Sequence, residues 1–130
     1  MKEIFLIAVG GGIGALLRYA LTGFVHKNVN TGFPLGTLTV NLLGAFILGF
    51  LWGISETFIL PPSIKLIIFI GMIGAFTTFS TFMLETVNLA RVGEIKYALM
   101  NLFVSNFFGI ILVFLGLIMS KYLIKFTGWR

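Results

Sequence analysis

Cysteine and aspartate are missing from this chain of 130 residues, and histidine occurs only once. The absence of cysteine excludes disulfides, thiolate metal sites and a cysteine nucleophile together. The acids are four scattered glutamates, which form no carboxylate pair, and His26 falls in a connector with no serine nearby that it could activate. We therefore expect a protein that is not an enzyme, with no organic cofactor and with His26 as a solvated loop residue.

Charge is also scarce, since 10% of the residues are charged and 58% are hydrophobic, with a mean hydropathy of +1.10. So few charges cannot cover the surface of a soluble domain. The net charge of +5 does not indicate a nucleic-acid partner, because the basic residues are scattered at the ends of apolar segments, where they suit anionic lipid headgroups. The composition predicts an all-α integral membrane protein that forms one domain, residues 1–130, in a lipid bilayer.

Four segments are long and apolar enough to cross a bilayer as helices, which takes roughly 20 residues each. They span about residues 4–25, 35–55, 66–90 and 97–120. The first is expected to be retained, because no small-residue cleavage site ends it early.

The basic residues give only a weak preference for one orientation in the membrane. Four spans place both termini and the second connector on one side, with Lys2, Lys65, Lys121, Lys125 and Arg130; the other side has Lys27, Arg91 and Lys96. Orientation normally follows a clear excess of Lys and Arg. Five against three therefore permits insertion both ways up, as an antiparallel homodimer requires, and also permits a single orientation.

Small residues recur four apart, for example Gly49 and Gly53, a spacing that lets membrane helices approach closely. Gly10, Gly12 and Ala15 also match a dinucleotide-binding fingerprint. No strand-like run precedes them and no acidic residue follows at the required distance. We interpret these glycines as packing positions.

Two spans carry neutral hydrogen-bonding residues one helical turn apart. Thr37 and Asn41 share a face of the second span, and Asn101 and Ser105 share a face of the fourth. Such side chains can donate to an anion along a narrow polar path, or they can bond neighbouring helices to each other. Because two such stripes occur, we favour a pathway.

The third span has an unusual centre, residues 74–82, in which Gly, Thr and Ser crowd together. These residues form helices poorly, so a break in the third helix is predicted there. Unwound backbone at bilayer depth is tolerated where it is buried in protein or lines a cavity, and its carbonyls can coordinate a cation. Phe79 and Phe82, three residues apart, could turn electropositive ring edges toward an anion.

Two ionisable residues lie within the spans. Arg18 either faces an aqueous vestibule or anchors the helix near the headgroups. Glu85 could carry protons, pair with Arg18 or act at a gate.

The chain resembles the Fluc fluoride channels, also called CrcB proteins, along nearly its whole length. The matching residues are Gly11, Gly12, Gly14, Ala15, Arg18 and Tyr19 in the first span, Gly36, Thr37, Val40 and Asn41 in the second, and Gly74, residues 77–82 and Glu85 in the third. Many relatives have Tyr where Asn101 stands here. The resemblance implies an antiparallel, dual-topology homodimer of four-helix subunits with two fluoride pores and a central structural Na⁺.

The resemblance also implies roles for individual residues. The fluoride pore would comprise Phe79, Phe82, Asn41, Thr37, Ser80, Thr81, Glu85, Ser105, Asn101 and Arg18, with Arg18 near a vestibule. The backbone carbonyls of Gly74 and Thr77 from both subunits would hold the Na⁺.

The expected function is a passive, fluoride-selective channel that exports fluoride from the cytoplasm and gives fluoride resistance. The expected location is a bacterial plasma (inner) membrane. The alternative is a proton-coupled exporter of the small multidrug type that depends on Glu85.

Overall fold

A computed structural model describes residues 1–29 and 31–128 as a set of helices joined by short connectors. Arg130, one of the basic residues counted above, lies outside this part of the chain. The helices are α1 (Lys2–Asn28), α2 (Leu35–Thr57), α3 (residues 62–76), α4 (Phe79–Arg91) and α5 (Ile95–Thr127). Three of them, α1, α2 and α5, are long and apolar enough to cross a membrane, and so is the stretch Pro62–Arg91 that contains α3 and α4. The prediction of an all-helical, multi-pass membrane protein with four spans is confirmed.

The helices run past the apolar segments from which they were predicted. Hydropathy reports the part of a helix that lies in hydrocarbon, whereas the hydrogen-bonded backbone continues into the polar flanks. At the end of α1 this difference matters, because the helix continues to Asn28 and includes His26. The prediction that His26 is a loop residue was therefore wrong, because His26 lies in the last turn of α1.

The first close helix pair is α1 with α3. A Cβ at Gly10 would collide with the backbone of Ile67, and a Cβ at Gly14 with the backbone of Met72. The contacts advance in the same direction along both helices, so the two run parallel. Gly10 thus serves helix packing, which is the role expected from its spacing in the sequence.

The second close pair is α2 with α5, and it is parallel as well. A Cβ at Gly49 would collide with the backbone of Val113, and a Cβ at Gly53 with the side chain of Ser120. Gly116 on α5 is equally close to α2, since a Cβ there would collide with the backbone of Phe46 and Phe50. Small residues four apart thus bring the helices together, in agreement with the packing interpretation.

The third span changes its backbone geometry twice. Within α3, the segment Leu66–Ile73 is π-helical and the short helical turn Gly74–Phe76 follows it. Thr77 (φ −80°, ψ 157°) and Thr78 (φ −146°, ψ 117°) are then extended before α4 begins at Phe79. These two residues lie in the middle of the 74–82 stretch that the sequence singled out.

Candidate functional site

The amide of Asn41 on α2 binds both backbone polar groups of Thr78. Its Nδ2 donates to the Thr78 carbonyl oxygen at 2.9 Å, and its Oδ1 accepts from the Thr78 amide at 2.8 Å. Buried backbone groups outside a helix need such partners, because an unpaired group away from water is costly. Asn41 therefore supplies the bonds that the extended backbone of the third span lacks.

Thr78 also caps the helix that follows it. Its hydroxyl oxygen accepts from the Thr81 amide at 3.3 Å and donates to the Thr81 hydroxyl at 2.9 Å. A threonine at this position satisfies one of the amides that a helix leaves unpaired at its start. The start of α4 is thus held in place by Thr78 and Asn41 together.

These bonds divert two amides from their ordinary helical acceptors. In an unbroken helix the amide of Thr78 would donate to the Gly74 carbonyl, and the amide of Thr81 to the Thr77 carbonyl. Both amides donate to side chains instead, to Asn41 and to Thr78. The carbonyls of Gly74 and Thr77 consequently lose the donors that an unbroken helix would give them.

A cavity of about 280 Å³ lies beside the start of α4, between α2, α5 and the third span. Its polar lining comes from Asn41, Thr77, Thr78 and Ser105, and the remaining lining residues are Gly44, Ala45, Leu48, Ile73, Phe79, Phe82, Gly109 and Val113. None of these lining side chains is charged. The N-terminal end of a helix carries partial positive charge, so an anion is favoured here without a formal cation.

The two phenylalanines of the cavity differ in burial. Phe82 is 4% exposed, whereas Phe79 is 72% exposed. Their ring centroids are 6.0 Å apart with planes inclined at 63°, an edge-to-face pair. The sequence placed both rings on one face, and the structure brings them together at the cavity, with Phe79 as its open side.

Glu85 lies two helical turns beyond Thr78 and is bound from the same face of α2. The Thr37 hydroxyl donates to Glu85 Oε1 at 2.7 Å. The other carboxyl oxygen, Oε2, is buried and has no hydrogen-bond partner among the described residues. Within that same part of the chain the ion pair is Lys121–Glu56, so Glu85 does not pair with Arg18.

A second cavity, of about 340 Å³, lies at the connector end of α1. Its polar lining includes His26, Glu85, Asn88 and Thr31, and Gly32, Phe33, Pro34, Leu89 and Val92 complete it. Glu85 belongs to this cavity and Phe82 to the first one. These residues are three apart on α4, so the cavities are about one helical turn apart.

Asn101 and Ser105 on α5 take different positions. Ser105 lines the first cavity and donates to Asn101 Oδ1 at 3.4 Å. Asn101 is 1% exposed and donates through Nδ2 to the Thr86 hydroxyl at 2.9 Å, which in turn donates to the Phe82 carbonyl at 2.8 Å. Asn101 therefore joins α5 to α4 behind the cavity and does not line it.

The other predicted pore residues lie outside both cavities. Arg18 is half-buried on α1, and Ser80 and Thr81 are exposed on the first turn of α4. Gly74 is exposed as well. An exposed polar turn beside the exposed ring of Phe79 marks this face as open in the single chain.

The donor set available for a metal ion is restricted. The described residues contain no group of three or more His, Cys, Asp or Glu side chains that could bind one. Backbone carbonyls suit a hard cation, and those of Gly74 and Thr77 are among the carbonyls that lose their helical donors here. This chemistry fits a cation such as Na⁺.

Two structurally important residues were not assigned from the sequence. Thr78 lies within the 74–82 stretch but was given no role, although threonine is a preferred residue at the N-cap of a helix. Nothing in the sequence indicated a role for Thr86, since a threonine within a helix commonly bonds only to the backbone of its own helix. Its contact with Asn101 depends on how α4 packs against α5.

Comparison with known proteins agrees with the resemblance seen in the sequence. Residues 5–117 match the family model described as "CrcB-like protein, Camphor Resistance (CrcB)". A protein of Parabacteroides distasonis is 42% identical over 124 residues, which cover 95% of this chain and 97% of the relative. A Magnetococcus marinus protein is 42% identical over 120 residues, covering 92% and 98%.

A Methanococcus aeolicus protein is 40% identical over 125 residues, covering 96% of this chain and 100% of the relative. All three relatives are named "Fluoride-specific ion channel FluC". Similarity at this level over nearly the whole length of each protein confirms the resemblance. The chain belongs to the CrcB-like family.

Proposed function

We propose that this protein is a fluoride-selective ion channel that lets fluoride leave the cell passively. The first cavity carries the proposal, because it combines neutral hydrogen-bond donors, two aromatic rings and a helix N-terminus, with no charged side chain in its lining. The relatives' names describe ion channels and not enzymes, which supports the same function. A pathway of this kind needs no ATP and no organic cofactor.

Selectivity follows from how such a cavity replaces water around an anion. The Asn41 amide has two N–H donors, one of which binds Thr78, so the second remains for an ion. Neutral donors hold an anion strongly enough to admit it and weakly enough to release it. Electropositive ring edges of Phe79 and Phe82 add to these donors.

The driving force is the membrane potential. Fluoride enters cells as neutral HF and is trapped as the anion at cytoplasmic pH. A potential that is negative inside then drives the anion outward with about 2.3 kcal/mol per charge per 100 mV. We therefore place the channel in the plasma membrane, the inner membrane of a bacterium, where it would give fluoride resistance.

A second copy of the chain would cover the open side of the cavity. Phe79 is 72% exposed, and its neighbours Ser80 and Thr81 are exposed too. Polar groups at this depth need partners other than lipid. An antiparallel homodimer would supply them and would contain two pores, one beside each α4.

The Gly74 and Thr77 carbonyls of both copies would hold a structural Na⁺ at the centre of this dimer. When bound, the ion supplies positive charge to carbonyls that the extended backbone leaves without helical donors. We therefore expect Na⁺ to raise the melting temperature of the purified protein relative to a bulky organic cation at equal ionic strength. An equal melting temperature in both salts contradicts the Na⁺ proposal.

Orientation can be tested because the chain has no cysteine. Val92, 74% exposed, and Ile59, 101% exposed, lie in connectors at opposite ends of the bundle. Val92→Cys and Ile59→Cys are each treated with a membrane-impermeant thiol reagent in sealed cells. Dual topology predicts that about half of each variant is labelled, whereas a single orientation labels one fully and leaves the other unlabelled.

The function itself is tested by fluoride efflux from liposomes that contain the purified protein. Release is followed with a fluoride electrode after a K⁺ ionophore is added, beside matched vesicles loaded with chloride. The proposal predicts fast fluoride release and no chloride release. No fluoride release from folded protein would overturn it and would favour the proton-coupled exporter.

A further inference from the structure

A third cavity, of about 400 Å³, lies between the end of α2 and the start of α3, beside the second connector. Polar and apolar residues both line it: Trp52, Ser55, Glu56, Lys65, Leu66, Phe69 and Ile70. It shares no residue with the two cavities described above. The proposed fluoride pathway therefore does not account for it.

The cavity exists because α2 and α3 pack against different helices. Gly10 brings α1 against the backbone of Ile67 on α3, and Gly53 brings α2 against Ser120 on α5. Among the described glycines, none brings the end of α2 equally close to the start of α3. The groove between the two helix pairs is thus left open at this end.

The charges around the cavity leave one lysine without an acidic partner. Both carboxyl oxygens of Glu56 are engaged, since the Trp52 indole donates to Oε1 at 3.2 Å and Lys121 Nζ lies 3.7 Å from Oε2. In the part of the chain that the structure describes, Lys65 is exposed and forms no ion pair. The site therefore has one positive charge in excess and favours an anionic group.

The remaining lining is apolar and leads away from this charge. Leu66, Phe69 and Ile70 follow Lys65 along α3 toward the middle of the span. The ring of Trp52 meets that of Phe69 edge to face, with centroids 5.6 Å apart and planes inclined at 77°. Tryptophan is enriched at the level of the lipid headgroups. A cation at headgroup level above an apolar surface matches a phospholipid, whereas a free anion would gain nothing from the apolar part.

We propose that the third cavity binds one anionic phospholipid of the surrounding bilayer, with its phosphate at Lys65 and an acyl chain along Phe69 and Ile70. Lysines near the membrane surface attract anionic headgroups. The acyl chain closes the groove between α2 and α3 one helical turn from Leu48, which lines the first cavity. Binding of this lipid does not depend on the fluoride function and can be measured without ion flow.

The test uses Trp52 as a reporter within the site. The sequence has one other tryptophan, Trp129, so Trp129→Phe leaves Trp52 as the single indole fluorophore. This protein is reconstituted into phosphatidylcholine vesicles that contain a minor fraction of phospholipid with brominated acyl chains, which quench indole fluorescence on contact. Brominated phosphatidylglycerol is expected to bind about fivefold more tightly than brominated phosphatidylcholine, the difference that one lysine near the surface gives.

Lys65→Gln in the same background should quench equally with both lipids. Lys96→Gln is the matched control, because it removes an exposed lysine at the opposite end of the bundle that lines none of the three cavities, and it should keep the preference. Added inorganic phosphate should not relieve the quenching, since it lacks the acyl chain. Equal quenching by both lipids before substitution, a preference that survives Lys65→Gln, or relief by inorganic phosphate would each overturn the lipid site and leave the proposed channel function standing.

Discussion

Asn41 and Thr78 are joined by two hydrogen bonds, one in each direction between a side-chain amide and a backbone peptide. The bonds connect α2 to the two extended residues of the third span. Only asparagine and glutamine have a side-chain amide that can both donate and accept in this way, and the glutamine side chain is longer. The geometry of the first cavity therefore depends on the amide of Asn41.

Replacing Asn41 with leucine should impair both stability and transport. The substitution leaves the amide and the carbonyl of Thr78 unpaired, at about 1–3 kcal/mol for each group. We expect a lower melting temperature in detergent and a large loss of fluoride efflux from liposomes. Asn106→Leu is the matched control, because Asn106 is exposed and bonds only within its own helix, to the Leu102 carbonyl. Equal effects of the two substitutions would contradict the role assigned to Asn41.

Thr78 offers a separate test of the same region. Thr78→Ala removes the cap of α4 and should destabilise the protein by about 0.5–2 kcal/mol, whereas Thr78→Ser keeps the hydroxyl and should restore most of that loss. Thermal unfolding followed by circular dichroism measures both variants. If the serine variant is as unstable as the alanine variant, the hydroxyl is not what holds the start of α4.

The helices were predictable from the sequence because each span must satisfy its own backbone within hydrocarbon, which requires a long apolar run. Which helices pack against each other was harder to predict from the sequence. The spacing of Gly49 and Gly53 indicated a packing face but not that the partner is α5 near Val113, since the two positions are more than 60 residues apart. Pairing across such a distance depends on the whole bundle.

In the candidate site, too, local features could be predicted from the sequence, whereas contacts between distant residues could not. The composition of residues 74–82 predicted a break in the third helix, because glycine and hydroxyl residues weaken a helix locally, and Thr77 and Thr78 have extended backbone within that stretch. The partners of Thr37 and Asn41 on the third span could not be read from spacing, because they lie 48 and 37 residues away. Asn101 lies outside the lining of the first cavity, and the sequence could not show this, because a polar helix face does not tell which side of the helix meets a cavity.

The glycine contacts between α2 and α5 predict a sharp difference between two similar substitutions. Gly49→Ala places a Cβ against the backbone of Val113, which cannot move away as a flexible side chain could. We expect a clear decrease in melting temperature. Gly23→Ala is the control, because nothing lies within 4 Å of the position its Cβ would take, and it should be neutral. Similar melting temperatures for both variants would exclude close packing at Gly49.

Glu85 distinguishes a channel from a proton-coupled exporter. Glutamine keeps the acceptor oxygen that the Thr37 hydroxyl binds, so Glu85→Gln should preserve the local structure while it removes the charge and the titratable proton. A channel should still release fluoride from liposomes, whereas an exporter that couples through this carboxyl should stop transport. Fluoride release and the melting temperature are measured on the same preparation, so that misfolding is recognised.

Phe79 and Phe82 should respond differently to truncation because one ring is open and the other is packed. Phe82→Ala removes a ring that is 4% exposed and should cost about 3–5 kcal/mol of stability. Phe79→Ala removes a ring that is 72% exposed, so the fold of the single chain should lose little, whereas the wall of the proposed pore loses an aromatic edge. We expect Phe79→Ala to lower the melting temperature less than Phe82→Ala does, while fluoride efflux falls severely. Phe126→Ala, at a ring that is 87% exposed near the end of α5, is the control and should leave both quantities unchanged. If Phe79→Ala conducts fluoride as fast as the control, the exposed ring is not part of the pathway, and the pore wall must be sought in the other residues of the first cavity.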